Sequence, residues 1–314
     1  MVSYFLFYVL IFSFSPFQES PKSHNYLTIT KRGSYMNMSA KPLYLASLIL
    51  GVCFLIYSLS SAEHMIDAAT ILFIFGPLIA GSCIFTYFNH PISALWIGAG
   101  IPLAISSSCI AFLGFMMNMD DPNLIYMATA SGFVSIFWGG LASCIGAFFL
   151  KGIEVSEQPK RIAVVVSLIF PVSVLFWGMQ GVGSIRAFVF LEPLLLVISP
   201  ALCVGSYRAL NGEKLDPEQL LQFVILGCLG GVAVALVQYY SASPEDRMAV
   251  GESIAFGVLA IFYSSVILTL SAFCSLHRTF RQVAYAKLNW HLLEIFSLWT
   301  LMCFAPMSLR EIFV

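Results

Sequence analysis

Long apolar runs, each closed by polar or turn-forming residues, are the dominant pattern in this chain. Eight of them read as membrane-spanning helices, at about 42–60, 68–88, 94–117, 124–150, 162–180, 187–207, 218–241 and 249–275. Each is close to the ~20 apolar residues that carry a helix across a bilayer. Leu292 to Leu309 is a further apolar stretch, broken by Pro306 and carrying Glu294. A short ninth span and an interfacial helix both fit it, and the second is preferred. At the amino end, Met1 to Phe17 is apolar but lacks a basic leader and a small-residue cleavage site, so it makes a poor signal peptide. Met36 and Met38 are alternative starts, and residues 1–41 are set apart as an N-terminal segment.

Composition narrows the class. Hydrophobic residues make up 59% of the 314 and charged residues 10%, with a mean hydropathy of +0.89. Soluble domains carry about 25% charged residues, so this chain could not cover a water-exposed surface. A disordered chain is excluded for the same reason. Lys plus Arg is 15 and Asp plus Glu is 16, a net charge of -1, which excludes a nucleic-acid binder. The fold expected is an all-α integral membrane protein with the lipid bilayer as its surroundings. No nucleophile elbow, HExxH or phosphate loop is present, so no enzyme, cofactor or metal centre is expected. The eight cysteines form no CxxC pair and sit in apolar stretches, where they read as small hydrophobes.

Loop charge sets an expected orientation. Lys22, Lys31, Arg32, Lys41, Lys151, Lys160, Arg161, Arg208, Lys214, Arg278, Arg281 and Lys287 fall on one side, and only Arg186 and Arg247 on the other. The positive-inside rule makes the richer side, with the amino terminus, cytoplasmic. The outer loops then carry Glu63, Asp67, Asp120, Asp121, Glu245 and Asp246. Such an acidic face can attract cations, although solvated loops explain it as well.

The two halves resemble each other. MIDAATILFIFGPLIAG at 65–81 is matched by FLEPLLLVISPALCVG at 190–205, which pairs Asp67 with Glu192 at an offset of 125. Pro122 pairs with Pro244, and Phe137-Trp138-Gly139 with Phe262-Tyr263-Ser264. Four spans per half is an even number, so both copies enter the membrane in the same sense. The expected organisation is a first four-helix unit at 42–155, a second at 156–280 and a C-terminal segment at 281–314.

Few polar residues lie inside the spans. Ser106, Ser107 and Ser108 form a triplet, and Ser135 lies in the next span. Helix packing or back-bonding to the preceding turn is the plain explanation, and pore lining the functional one. Asp67 and Glu192 at span starts suit the helix dipole. Pro77, Pro171 and Pro200 are expected to kink their spans, and Gly227, Gly230 and Gly231 to allow close helix contact. No Asp, Glu, Lys or Arg lies near the centre of any of the eight spans. A pump or coupled carrier acting alone normally needs one.

On Ile66-Asp67, Asp120-Asp121-Pro122, Met127-Ala128 and Phe137-Trp138-Gly139, the chain resembles the MotA/TolQ/ExbB proton-channel family, its flagellar stator A subunit in particular. The resemblance covers roughly 42–151 and more faintly 162–276. It implies a bacterial inner-membrane protein, an oligomer, and a single-span partner of the MotB, TolR or ExbD kind whose aspartate takes protons. It also implies that Ser107, Ser108 and Ser135 line the pore; in the second copy these positions become Gly230, Gly231 and Ala260. Asp67, Asp120, Asp121 and Glu192 are the acidic candidates at helix ends and on the outer face. The chain departs from the family by lacking a cytoplasmic domain between spans two and three, where only FNHPISALW stands, so torque on a rotor is not expected. Pro102 alone matches a family proline, and two fused units cannot fill a five-fold ring with whole chains. A non-conducting scaffold and a small-solute carrier are the other classes that fit.

Overall fold

The structure is a computed structural model that describes residues 67–88, 92–116, 122–148, 161–213, 217–243 and 246–274, with Ile295 and Trp299. All of these belong to one compact unit, Glu63–Val314. The expected span at 42–60, the N-terminal segment and nearly all of 292–309 lie outside the described residues.

Among the described residues there are seven α-helices and no strand: α1 (Ala68–Tyr87), α2 (Ile92–Met116), α3 (Pro122–Phe148), α4 (Arg161–Val182), α5 (Leu191–Leu210), α6 (Pro217–Ser241) and α7 (Arg247–Cys274). A single 3-10 turn, Ile185–Phe188, lies between α4 and α5. Local chemistry sets the ends. Asp67 caps α1 by accepting from the Ala69 N–H at 3.0 Å and from Thr70 Oγ1 at 2.6 Å. Asp246 accepts from the Ala249 N–H at 3.1 Å ahead of α7. α3 and α6 each begin with a proline, which loses no helical bond at that position. Gly183 (φ 134) follows α4 and Gly212 (φ 69) follows α5, and both need a backbone that side chains disfavour.

The sixth expected span, 187–207, differs in its start. α5 begins at Leu191, because Pro193 would clash with the carbonyl of Val189 if the helix ran further back. Pro77, Pro102, Pro171 and Pro200 all lie within continuous α-helix.

Among the described residues, six helical segments are long and apolar enough to cross a membrane: Ala68–Tyr87, Ile92–Met116, Val164–Val182, Ile185–Leu210, Gln219–Ser241 and Met248–Cys274. In α3 the apolar helix among the described residues is shorter, Ala130–Gly146.

α2 and α7 form the centre. α2 packs most extensively on α3 and then on α7, and it also touches α1 and α4; α7 touches α2, α4, α5 and α6. α4 and α5 lie outside and expose Val165, Ile169, Trp177, Leu195 and Leu202. In lipid these faces cost little, because acyl chains are as apolar as leucine. For the same reason burial of apolar area does not drive helix association here. Close packing and a few hydrogen bonds do.

Small residues provide the packing. A Cβ on Gly139 would collide with Ala104 Cβ and the Gly100 carbonyl, so α3 lies directly on the α2 backbone. Gly227 lies against the Val197 carbonyl in the α5–α6 contact, and a Cβ on Gly231 would stand 2.5 Å from Ala260 Cβ. Of the three glycines expected to allow close contact, Gly227 and Gly231 do so, while Gly230 makes only an ordinary contact with Leu196. Aromatic edges join α1 to α2 and α3, with Phe75 at 5.8 Å from Trp96 and 6.0 Å from Trp138. The Trp96 indole N–H donates to Ser82 Oγ at 2.7 Å.

Candidate functional site

Every buried polar side chain among the described residues is a serine or threonine. The densest group lies where α2 meets α3 and α7. Successive residues on an α-helix turn by about 100°, so the serine triplet of α2 faces more than one neighbour. Ser106 meets Ser265 of α7 at 2.8 Å, and Ser107 meets Ser135 of α3 at 3.0 Å. Ser108 lies 2.9 Å from both the Ala104 carbonyl of its own helix and the Gly132 carbonyl of α3.

One proton per hydroxyl fixes the direction of these bonds. Ser265 donates to the Phe262 carbonyl at 2.8 Å, so Ser106 donates to Ser265. Ser135 donates to the Ser131 carbonyl at 2.9 Å, so Ser107 donates to Ser135. Ser108 has two acceptors for one proton and shares or alternates it. Ser108, Ser106 and Ser265 are fully buried, and Ser107 is half-buried. The structure thus brings Ser107 and Ser135 together and places Ser108 beside them, within the α2–α3 contact.

The acidic candidates take different places. Asp67 is the α1 cap described above. Glu192 sits exposed in the first turn of α5, whose capping residue, Phe190, makes no side-chain bond. Asp120 and Asp121 lie outside the described residues.

Several residues here are not among the site candidates read from sequence. Ser265 is the partner of Ser106, and Thr269, one turn further along α7, is fully buried with no hydrogen-bond partner for its Oγ1. Tyr263 anchors the α4–α5 connection: its hydroxyl accepts from the Phe190 N–H at 2.9 Å and donates to the Phe188 carbonyl at 2.6 Å. Trp299 packs against Gly132 and stacks edge-on with Phe133 at 6.1 Å, beside the serine group. The pair Ser264-Ser265 in mid-span is the available signal for the α7 site.

The chain matches no protein-family model, no curated protein and no solved structure. Its class follows from the helices themselves: it is a polytopic α-helical membrane protein, with small-residue helix contacts and, among the described residues, an interior polar group made of hydroxyls alone.

Proposed function

We propose that the chain is a channel subunit of the MotA/TolQ/ExbB plan, built from two tandem, parallel four-helix units, and that it conducts protons together with a single-span partner that supplies an aspartate. The place proposed is a bacterial inner membrane, with the amino terminus cytoplasmic, as the uneven division of Lys and Arg favours. The observation that carries the reading is the hydroxyl-only interior. Serine hydroxyls can hold water or steer a carboxylate, yet no group that titrates near neutral pH is buried with them among the described residues. The titrating group would have to come from elsewhere.

The doubling rests on helix lengths and registers. α1, α2 and α3 have 20, 25 and 27 residues, and α5, α6 and α7 have 20, 25 and 28. The starts Ala68 and Leu191, Ile92 and Pro217, Pro122 and Arg247 are offset by 123, 125 and 125.

A pH-sensitive dye inside proteoliposomes tests the proposal. The chain alone should pass protons no faster than empty vesicles. A complex purified from its native membrane should contain a single-span, Asp-bearing protein and conduct, and a Ser107→Ala/Ser135→Ala variant should conduct less. Full flux from the lone chain, or undiminished flux in the double variant, contradicts the reading. A specific observation favours the scaffold reading as second choice: the hydroxyl protons of Ser106, Ser107, Ser108 and Ser135 all have acceptors inside the bundle. A purified complex with no single-span partner and no flux would decide for it.

A further inference from the structure

The α2–α7 contact holds a second polar feature, one turn away from the Ser106–Ser265 pair. Two contacts fix the antiparallel register of these helices. Ser106 meets Ser265, and Leu95 and Phe273 both stand within 3 Å of the position a Cβ on Gly81 would take, at 2.8 and 2.7 Å. Between these points, Thr269 of α7 falls level with the turn of α2 from Ala99 to Pro102. Leu95, Ala99, Pro102 and Ser106 recur at helical spacing along this face, and all are buried.

Pro102 has no N–H, so the Gly98 carbonyl one turn before it has no helical donor at that position. Thr269 Oγ1 is fully buried and has no hydrogen-bond partner. An acceptor released by a proline and an unpartnered hydroxyl therefore meet at the same level of the same contact. Close by, Ser167 of α4 shares its one proton between the Val164 carbonyl of its own helix at 2.8 Å and the Phe273 carbonyl of α7 at 3.2 Å, so a third helix brings a polar group to the junction. Left dry, each unsatisfied group carries a desolvation cost. Buried waters usually make about three hydrogen bonds to such groups. No carboxylate is buried among the described residues to balance a cation, and an uncompensated buried charge is costly.

We propose that Pro102 and Thr269 frame a binding site for one buried water molecule at the α2–α4–α7 junction. The water donates to the Gly98 carbonyl and bonds Thr269 Oγ1. The site belongs to the contact between the halves, not to the α2–α3 hairpin, and it stands whether or not the chain conducts protons.

A high-resolution map of the full chain in lipid nanodiscs, with thermal unfolding of three variants, tests this. The expected map shows a single peak at hydrogen-bond distance, about 2.7–3.2 Å, from Thr269 Oγ1 and the Gly98 carbonyl. Thr269→Val should lower the melting temperature by about 2–4 °C, and Thr269→Ser, which keeps the hydroxyl, should keep the peak. Pro102→Ala, which gives the Gly98 carbonyl an N–H, should blunt the effect of Thr269→Val. The sign of the Thr269→Val effect is decisive even if Pro102→Ala fails to fold. A raised melting temperature means a dry, unpartnered hydroxyl and overturns the proposal, as does an empty map. A shift on replacing sodium by choline that Thr269→Val abolishes also overturns it, in favour of a cation.

Discussion

The α2–α3 and α6–α7 hairpins have nearly the same helix lengths, yet different chemistry holds them together. In the first, Gly100 and Gly139 bring the backbones together and Ser107, Ser108 and Ser135 add hydrogen bonds across the contact. In the second, Gly231 meets Ala260 with no hydroxyl between them, and Ser264 faces Cys228 instead. The small residues are common to both, while the serine–serine and serine–carbonyl bonds across the contact belong to the first. Packing therefore accounts for the geometry of both hairpins, and the serines are an addition to one of them.

That distinction can be broken most sharply at two neighbouring glycines. Gly139→Leu should cost about 3 kcal/mol or more, because its Cβ has nowhere to go. Gly140→Leu should stay within about 0.5 kcal/mol, since nothing lies within 4 Å of that position. Unfolding in lipid nanodiscs, followed by tryptophan fluorescence, reads both. Equal losses would show that the close contact does not hold the hairpin.

Installing a hydroxyl in the second hairpin is the next test. Gly231→Ser should destabilise by about 1–3 kcal/mol through overpacking against Ala260. A stabilising effect would mean that the second hairpin tolerates the chemistry of the first.

The starts of α1 and α5 offer a smaller contrast. Asp67→Ala removes a cap that satisfies one backbone N–H and one hydroxyl, and should cost about 1 kcal/mol. Glu192→Ala removes only a dipole interaction at an exposed site, worth about 0.3 kcal/mol. The reverse order in thermal unfolding would contradict the roles assigned to these carboxylates.

The serine pairs also carry a small expected effect. A double-mutant cycle on Ser106 and Ser265 should show a coupling of about 0.6 kcal/mol, as should one on Ser107 and Ser135. Coupling near zero for both pairs would mean that these contacts add nothing to stability.

Much of the fold is legible in the amino-acid sequence, for a physical reason. A bilayer demands long apolar runs, and these are visible wherever they occur. The expected spans at 68–88, 94–117 and 249–275 lie within two residues of α1, α2 and α7 at each end. The start of α5 is harder to place, because 187–190 is apolar and only the backbone geometry of Pro193 excludes it from the helix. The site is legible in part. A serine triplet in a span marks a polar contact, but sequence does not say which neighbour each hydroxyl meets. The roles of Ser265, Thr269 and Tyr263 escape a reading of the sequence because they depend on which helix lies opposite. The packing of α7 against α2 joins residues 159 positions apart.

Everything rests on the two halves sharing one plan and one direction across the membrane. Single cysteines placed at Asp120 and Glu245 in a cysteine-free chain, labelled with a membrane-impermeant maleimide on intact cells and on inverted vesicles, test that most directly. The account predicts that both label from the outer face of intact cells and neither from inverted vesicles. Labelling from opposite faces would contradict it.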